Sequence, residues 1–382
     1  MTLTSQVPQR RVLLIHPALA PYRLDQFNRL AALCDLTVVF LYDNLWNHPF
    51  DQQSLRSQAT FKQVYLLRGP HYKGRVLRWG LLRLIRQLKP DVVVSYEFSF
   101  TTQWLILLKA LGLLKPRLGS TVDDSLDICH AVQSRLRAVA RELAVRRLDF
   151  MAVLSPEVAA FYAQRYGLSP ESMVVSPLLQ DPERLRSPPE ALDRLASTYL
   201  DLHGLRGCKV VLFVGRFIPE KGLAGFLAHV AASLKARPDV RLVLVGDGEE
   251  RPAVAARIDA EGLGQQVVLP GRIEGEALRA WYVAAAGFVL PSTYEPFGAV
   301  VNEALIFGLP VLCSRAAGSA SLAVQGGGSL FDPRDSADTA AAFEAFVDRL
   351  EPMREACVAA RGTRVDGGLP QFQREWEKVL GR

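Results

Sequence analysis

The chain has 382 residues, of which 49% are hydrophobic and 22% charged, and a net charge of +6. That length suits two domains with a core each, and that composition excludes a disordered, collagenous or disulfide-stapled chain. No apolar run reaches the ~18 residues of a membrane span; the best, "WLILLKALGLL", is short and carries Lys109. The five cysteines (Cys34, Cys129, Cys208, Cys313, Cys357) show neither a CxxC spacing nor a histidine partner. They read as reduced, buried thiols of a cytoplasmic protein, with no metal site.

The charge is uneven. Residues 1–187 hold 24 Lys and Arg against 15 Asp and Glu, and the remainder 21 against 24. A basic first half points to a phosphorylated partner or an anionic membrane surface, with scattered solvated charge as the plain alternative. The densest basic stretch is 68–89, "RGPHYKGRVLRWGLLRLIRQLK". Its Arg75, Arg78, Arg83 and Arg86 alternate with apolar residues, which predicts an amphipathic basic helix able to lie on a bilayer.

Taken in chain order, "RVLLIH", "LTVVFLY", "DVVVSYE" and "DFMAVLS" read as buried strands, with helical spacing over 23–33, 76–88, 130–147 and 156–166. The first of these runs is broken by His16 and Pro17, so it reads as a strand and not as an export signal. Residues 177–192, "PLLQDPERLRSPPEAL", read as a linker. The pattern then restarts with "KVVLFVG", "RLVLVGDG", "QVVLPG", "GFVLPS" and "PVLCS", each followed by a helical stretch. Strands alternating with helices predict an α/β fold of two doubly wound, Rossmann-like domains. Ligands of such sheets bind at the carboxyl ends of the strands, so the residues there matter most.

After "VVLFV" come Gly215, Arg216 and then Lys221, at the start of a helix. Two cations at a helix N-terminus make a cradle for phosphate, with surface salt bridging as the plain reading. Arg272 and Ile273 follow "QVVLPG", and "PSTYEPFGAVVNEAL" (291–305) follows "GFVL". In that last stretch Glu295 and Glu303 sit among residues that prefer burial, where an unpaired carboxylate is costly. Each therefore needs a protein partner or a polyhydroxylated or cationic ligand. Pro296, Phe297 and Gly298 are expected to open a helix, offering the amides of Gly298, Ala299 and Val300 to an anion or a hydroxyl.

The segments "VGRFIPEKG", "LVGDGEE", "VVLPGRI" and "PSTYEPFGAVVNEALIFGLPVLCS" together resemble the retaining glycosyltransferases of family 4, which have the GT-B fold. The last resembles that family's paired-glutamate motif. The resemblance is strong over 208–318 and topological over the first half. It implies two domains facing each other across a cleft: an acceptor-binding one over 1–180 and a nucleotide-sugar-binding one over 181–365. A C-terminal helix, 366–382, would cross back to the first. Arg216 and Lys221 would hold the donor diphosphate and Glu303 the ribose hydroxyls. Glu295 with the Phe297–Gly298 backbone would hold the sugar, while Arg272 and Ile273 line the base pocket. In the first half the entry turn is "HPALAPYR", so Tyr22 and Arg23 would face the acceptor, Arg23 as a phosphate ligand. Many relatives place a histidine after a mid-domain strand; here Asp123 stands in its place, as the catalytic helper.

The implied reaction moves a sugar from a nucleotide diphosphate to a saccharide acceptor with retention of configuration. With cations in place and no Asp-x-Asp motif, metal independence is expected. No cofactor is expected beyond the nucleotide-sugar substrate, and no nucleic-acid partner. The basic first half suggests a polyprenyl-diphosphate-linked acceptor of bacterial surface polysaccharide assembly, and a protein peripheral on the inner face of the membrane. The rival readings are a sugar-nucleotide epimerase of the same fold and a non-catalytic two-domain binding protein.

Overall fold

The computed structural model describes residues 9–44, 50–72, 75–131, 134–365 and 368–381, without the side chains of residues 71, 72 and 75. Two compact units divide the chain: Met1–Leu179 with Gly368–Arg382, and Gln180–Gly367. The first two residues of the expected C-terminal helical segment lie outside the described residues; the helix runs Leu369–Leu380.

The first unit is built on a seven-stranded sheet. Its strands are β1 (Arg11–His16), β2 (Asp35–Phe40), β3 (Lys62–Tyr65), β6 (Val92–Tyr96), β7 (Arg117–Val122), β8 (Phe150–Val153) and β9 (Met173–Val175), in the order β3-β2-β1-β6-β7-β8-β9. All neighbours are parallel. β4 (His71–Tyr72) and β5 (Arg75–Val76) form a separate antiparallel pair. Parallel strands are covered on both faces, so Val92–Val94, Val38–Val39 and Leu13–Ile15 are buried on either side without alternation.

The second unit carries a six-stranded parallel sheet: β10 (Lys209–Val214), β11 (Val240–Val245), β12 (Val267–Gly271), β13 (Gly287–Leu290), β14 (Val311–Ser314) and β15 (Ser329–Phe331). Their order, β12-β11-β10-β13-β14-β15, is the doubly wound one in which the winding reverses between β10 and β13. Each unit has such a reversal, and there the first helix on either side turns away and leaves a crevice.

The doubly wound architecture expected from the sequence is present in both units. Four strands of the two parallel sheets escape the sequence reading. β3 and β7 ("KQVY", "RLGSTV") are too polar to stand out as apolar runs, and β9 and β15 have only three residues each. The expected linker 177–192 is partly helical, over Pro182–Leu185 and from Pro189, with Leu185 and Leu192 buried. The expected basic helix over 68–89 is corrected to one of eight residues, Leu81–Leu88. It begins only after Gly80, whose φ of 90° closes the preceding segment in a left-handed turn. Arg78 is buried, and its Nε donates to the Leu41 carbonyl at 2.9 Å, so it cannot face a bilayer. The side chain of Arg75 lies outside the described residues, while Arg83 and Arg86 are exposed.

Candidate functional site

In the second unit the crevice is bounded by the loops that leave β10 and β13. The helix after the first loop, Leu223–Lys235, buries Leu223, Phe226, Leu227, Val230, Ala231 and Leu234, one face at helical spacing against the sheet. Its approach is tight. Gly222 has a φ of 63°, and a Cβ there would lie 3.0 Å from the Pro291 carbonyl oxygen. Thr293 N donates to the Glu220 carbonyl at 2.8 Å, so the two loops are laced together. This lacing places Lys221 against Glu295, 74 positions on, in an ion pair whose side chains are 15% and 11% exposed.

Glu295 is fixed from a third side as well. Its carbonyl accepts from Gly318 N at 3.1 Å, and Phe297 O accepts from Ser319 N at 2.8 Å. The loop after β14, in which the sequence offered no acidic residue and no site, thus supports the paired-glutamate segment. The helix that follows, Ala299–Ile306, starts from Gly298 with a φ of 88° and no side-chain cap. A Cβ at Gly298 would meet Leu290 Cδ2 at 2.8 Å, so both conformation and space demand glycine there.

Glu303 also has protein partners. Its Oε2 accepts from the Tyr282 hydroxyl at 2.7 Å and its Oε1 from Gln180 Nε2 at 2.5 Å. Burial, followed by the negative charge of Glu303, holds the Tyr282 hydroxyl well above the usual phenol range. Gln180 N in turn donates to Asn302 Oδ1 at 2.8 Å. Neither Tyr282 nor Gln180 stands out in the sequence, because one lies 21 residues before Glu303 and the other 123 before it. An ionised carboxylate offers about four acceptor sites.

Arg216 follows Gly215 and is exposed, with no ion pair among the described residues. Arg272 is also exposed and binds Glu274 Oε1 through Nε at 2.8 Å, with Ile273 half-buried beside it. Gly215, Arg216, Lys221, Glu295, Phe297, Gly298 and Ala299 thus gather at the carboxyl ends of β10 and β13. Arg272 and Ile273 follow β12, which β11 and β10 separate from β13.

The first unit has a second polar cluster at its own reversal, between β1 and β6. Arg23 is 1% exposed; its Nη2 pairs with Asp123 Oδ2 and its Nη1 donates to Gln26 Oε1 at 2.7 Å. The guanidinium expected to meet a phosphate is buried in this structure and paired with Asp123, while its Nε has no partner among the described residues. Asp123 is correspondingly a counterion, although its side chain remains 35% exposed. Tyr22 is half-buried beside it in the chain.

Glu97, just past β6, is the residue the sequence reading missed here. It adopts a φ of 49°, unusual outside glycine, and its Oε1 accepts from Asp123 N at 2.9 Å. Burial, then the charges of Asp123 and Asp124, pushes its carboxyl up to about 8. His16, at the end of β1, is lowered to about 3 by burial and then by Arg23. The two act with opposite signs. A folded Glu97 keeps its proton where the unfolded chain has lost it, so it subtracts stability as pH rises from 4.5 toward 8. A folded His16 stays neutral where the unfolded chain is protonated, so stability falls as pH drops from 6.5 toward 3. Above pH 6.5 only the Glu97 effect remains. Between pH 6.5 and 8 the wild type should lose about 1–2 kcal/mol relative to Glu97→Gln, which mimics the neutral acid. Urea unfolding of both proteins at those two pH values measures this, and parallel pH profiles would show that Glu97 ionises normally.

Comparison with known proteins adds partial matches. Residues 205–361 match the family model described as glycosyl transferases group 1, a span that holds every residue of the second-unit site described above except Gln180. A 2-deoxystreptamine glucosyltransferase of Streptomyces kanamyceticus is 29% identical over 47% of this chain and 46% of its own length. The lipopolysaccharide core biosynthesis glycosyltransferase LpsD of Rhizobium meliloti is 26% identical over 72% of this chain and 67% of its own. The chain spans 46%, 28% and 34% of the length of three of the curated relatives it matches. Among solved structures, Anabaena HepE, crystallised with UDP and glucose, has a TM-score of 0.71 at 19% identity, covering 97% of this chain and 99% of that one. At that identity the likeness shows the fold, which is GT-B.

Proposed function

We propose that this chain is a retaining, metal-independent glycosyltransferase that moves a sugar from a nucleotide-diphosphate donor to a saccharide acceptor. One observation carries the reading. An unpaired cation, a buried Lys221–Glu295 pair and an uncapped helix N-terminus converge at the reversal of the second sheet, inside the segment that matches group 1 glycosyl transferases. The solved structure of HepE with UDP and glucose supports a nucleotide-sugar as the donor.

In this reading Arg216 grips the diphosphate, and Lys221, held in place by Glu295, neutralises charge as the bond to the sugar breaks. The amides around Gly298 and Ala299, with Glu295 and the Phe297 backbone, orient the sugar. Glu303, steadied by Tyr282 and Gln180, accepts the ribose hydroxyls. Arg272 and Ile273 flank the base. The diphosphate itself takes the acceptor proton, so the acceptor attacks from the face that the leaving group vacates. The LpsD relative supports an acceptor from bacterial surface polysaccharide assembly, and the basic first half supports one linked to polyprenyl diphosphate at the inner face of the membrane.

A panel of nucleotide sugars tests the donor. The true donor, at about 100 times its dissociation constant, should add about 2.7 kcal/mol of stability. It should also be hydrolysed slowly without acceptor, which a pure binding protein would not do. Conversion into an epimeric sugar nucleotide would favour the epimerase instead. No stabilisation by any member of the panel would remove the nucleotide-sugar reading altogether.

A further inference from the structure

The first unit exposes an apolar surface that the proposed transfer reaction does not use. The helix Arg135–Val145 buries only Ala144 and Val145. Leu136, Val139 and Leu143 recur along it at steps of three and four, one helical face, and are 47–71% exposed. The helix Phe100–Ala110 lies beside it, joined by Gln103 Nε2 donating to the Ala140 carbonyl at 2.9 Å. That neighbour exposes Phe100 and Leu107, and the turn after it exposes Leu111 and Leu113, 49–62% open to solvent. Seven large apolar side chains on two adjoining helices and the turn after one of them are more than scattered surface hydrophobics, and such patches mark docking sites.

The surrounding charge says what docks. Residues 135–147 hold five arginines and a single acid, Glu142. Arg141 turns inward to Asp124 at 3.2 Å, and Glu142 is paired with Arg146 at 3.2 Å. Arg135, Arg137, Arg146 and Arg147 are exposed, as is Lys115 just past Leu113. A second copy docking through the same face would set these arginines against one another, because a two-fold contact brings a patch onto itself. An apolar row framed by arginines suits headgroup phosphates outside and acyl chains beneath. We propose that this face, and not the helix Leu81–Leu88, seats the protein on an anionic bilayer. The inference rests on the lipid-linked-acceptor reading for its role, and on the surface alone for its chemistry.

The test is co-sedimentation of the full chain with vesicles of phosphatidylglycerol and phosphatidylcholine, or of phosphatidylcholine alone. Wild type should partition onto the anionic vesicles, at roughly fivefold per engaged cation, and should be released at about 1 M salt, where screening shortens to ~3 Å. Leu136→Glu with Leu143→Glu should lower partition by at least ~10-fold, since each places a charge where acyl chains must be met. Arg83→Glu with Arg86→Glu should leave it within a factor of about three. Both positions in the first pair are exposed, so an unchanged melting temperature and unchanged stabilisation by the nucleotide-sugar donor should accompany the loss. That readout separates failure of this surface from failure of the donor site. Wild-type binding by the Leu136/Leu143 variant, equal loss in both variants, no vesicle binding at all, or a solution dimer abolished by the Leu136/Leu143 changes would each overturn the proposal.

Discussion

Asp123→Ala should lower the unfolding free energy by about 3 kcal/mol. The reason is the partner it abandons. Arg23 is 1% exposed and cannot shed its charge, so without Asp123 a buried guanidinium is left with Gln26 as its neutral acceptor. The expectation sits at the low end of the range for buried pairs because Asp123 itself is 35% exposed and water can reach the gap. Removing both charges should undo most of the damage, because a pair replaced by apolar groups leaves no uncompensated ion. Urea unfolding of Asp123→Ala and of the double variant with Arg23→Met therefore decides the role. A loss below ~1 kcal/mol in the single variant, or a double variant just as weak, would contradict a counterion. Loss of turnover in Asp123→Ala then needs reading with care, since a catalytic helper and a buried counterion both predict it and only stability tells them apart.

Arg216→Ala should do the reverse, cutting turnover by on the order of 100-fold or more while leaving stability within about 0.5 kcal/mol. An exposed side chain with no ion pair among the described residues contributes little to folding, yet it follows β10 at the strand end where negative charge would develop in this reading. Lys221→Ala differs, because it strands the buried Glu295 carboxylate and should cost stability as well as rate. Single-turnover rates with the donor found by the panel, alongside melting temperatures, separate the two variants. Near-normal turnover in Arg216→Ala would place the diphosphate elsewhere, and inhibition by EDTA reversed by manganese would contradict the metal-free proposal.

The contrast between these arginines marks what the sequence makes legible. Strand ends can be read, because apolar runs such as "KVVLFV" and "GFVL" stop where the sheet stops, and so Arg216 and Glu295 could be assigned to one crevice. Burial of a polar side chain cannot be read in the same way. That Arg23 is buried and paired with Asp123, 100 residues on, is not visible from its place after the first strand. Glu97 closes an ordinary strand, and only the arrival of Asp123 and Asp124 beside it shifts its proton. Likewise "RGPHYKGRVLRWG" has the spacing of a helix, but Gly80 and the β4–β5 pair break it up. The apolar stripe of 135–147 went unread because a helical pattern does not say which face the fold will cover.

The helix Leu369–Leu380 belongs to the first unit although it follows the second in the chain. Phe372, Trp376, Val379 and Leu380 are buried in the same core as Val12, Leu14 and Phe150. Trp376 Nε1 donates to Ser176 Oγ at 3.2 Å, Val175 N to Glu375 Oε2 at 2.7 Å, and Arg117 Nη1 to the Val379 carbonyl at 2.8 Å. On the ribosome, residues 1–179 must therefore wait for the whole of 180–367 to be translated before their core can close. At about 5–20 residues per second that wait is on the order of 10–40 s. During it the nascent first unit shows a bare apolar seam along β8 and β9, which invites a chaperone and makes a 3′-truncated message a source of aggregating protein.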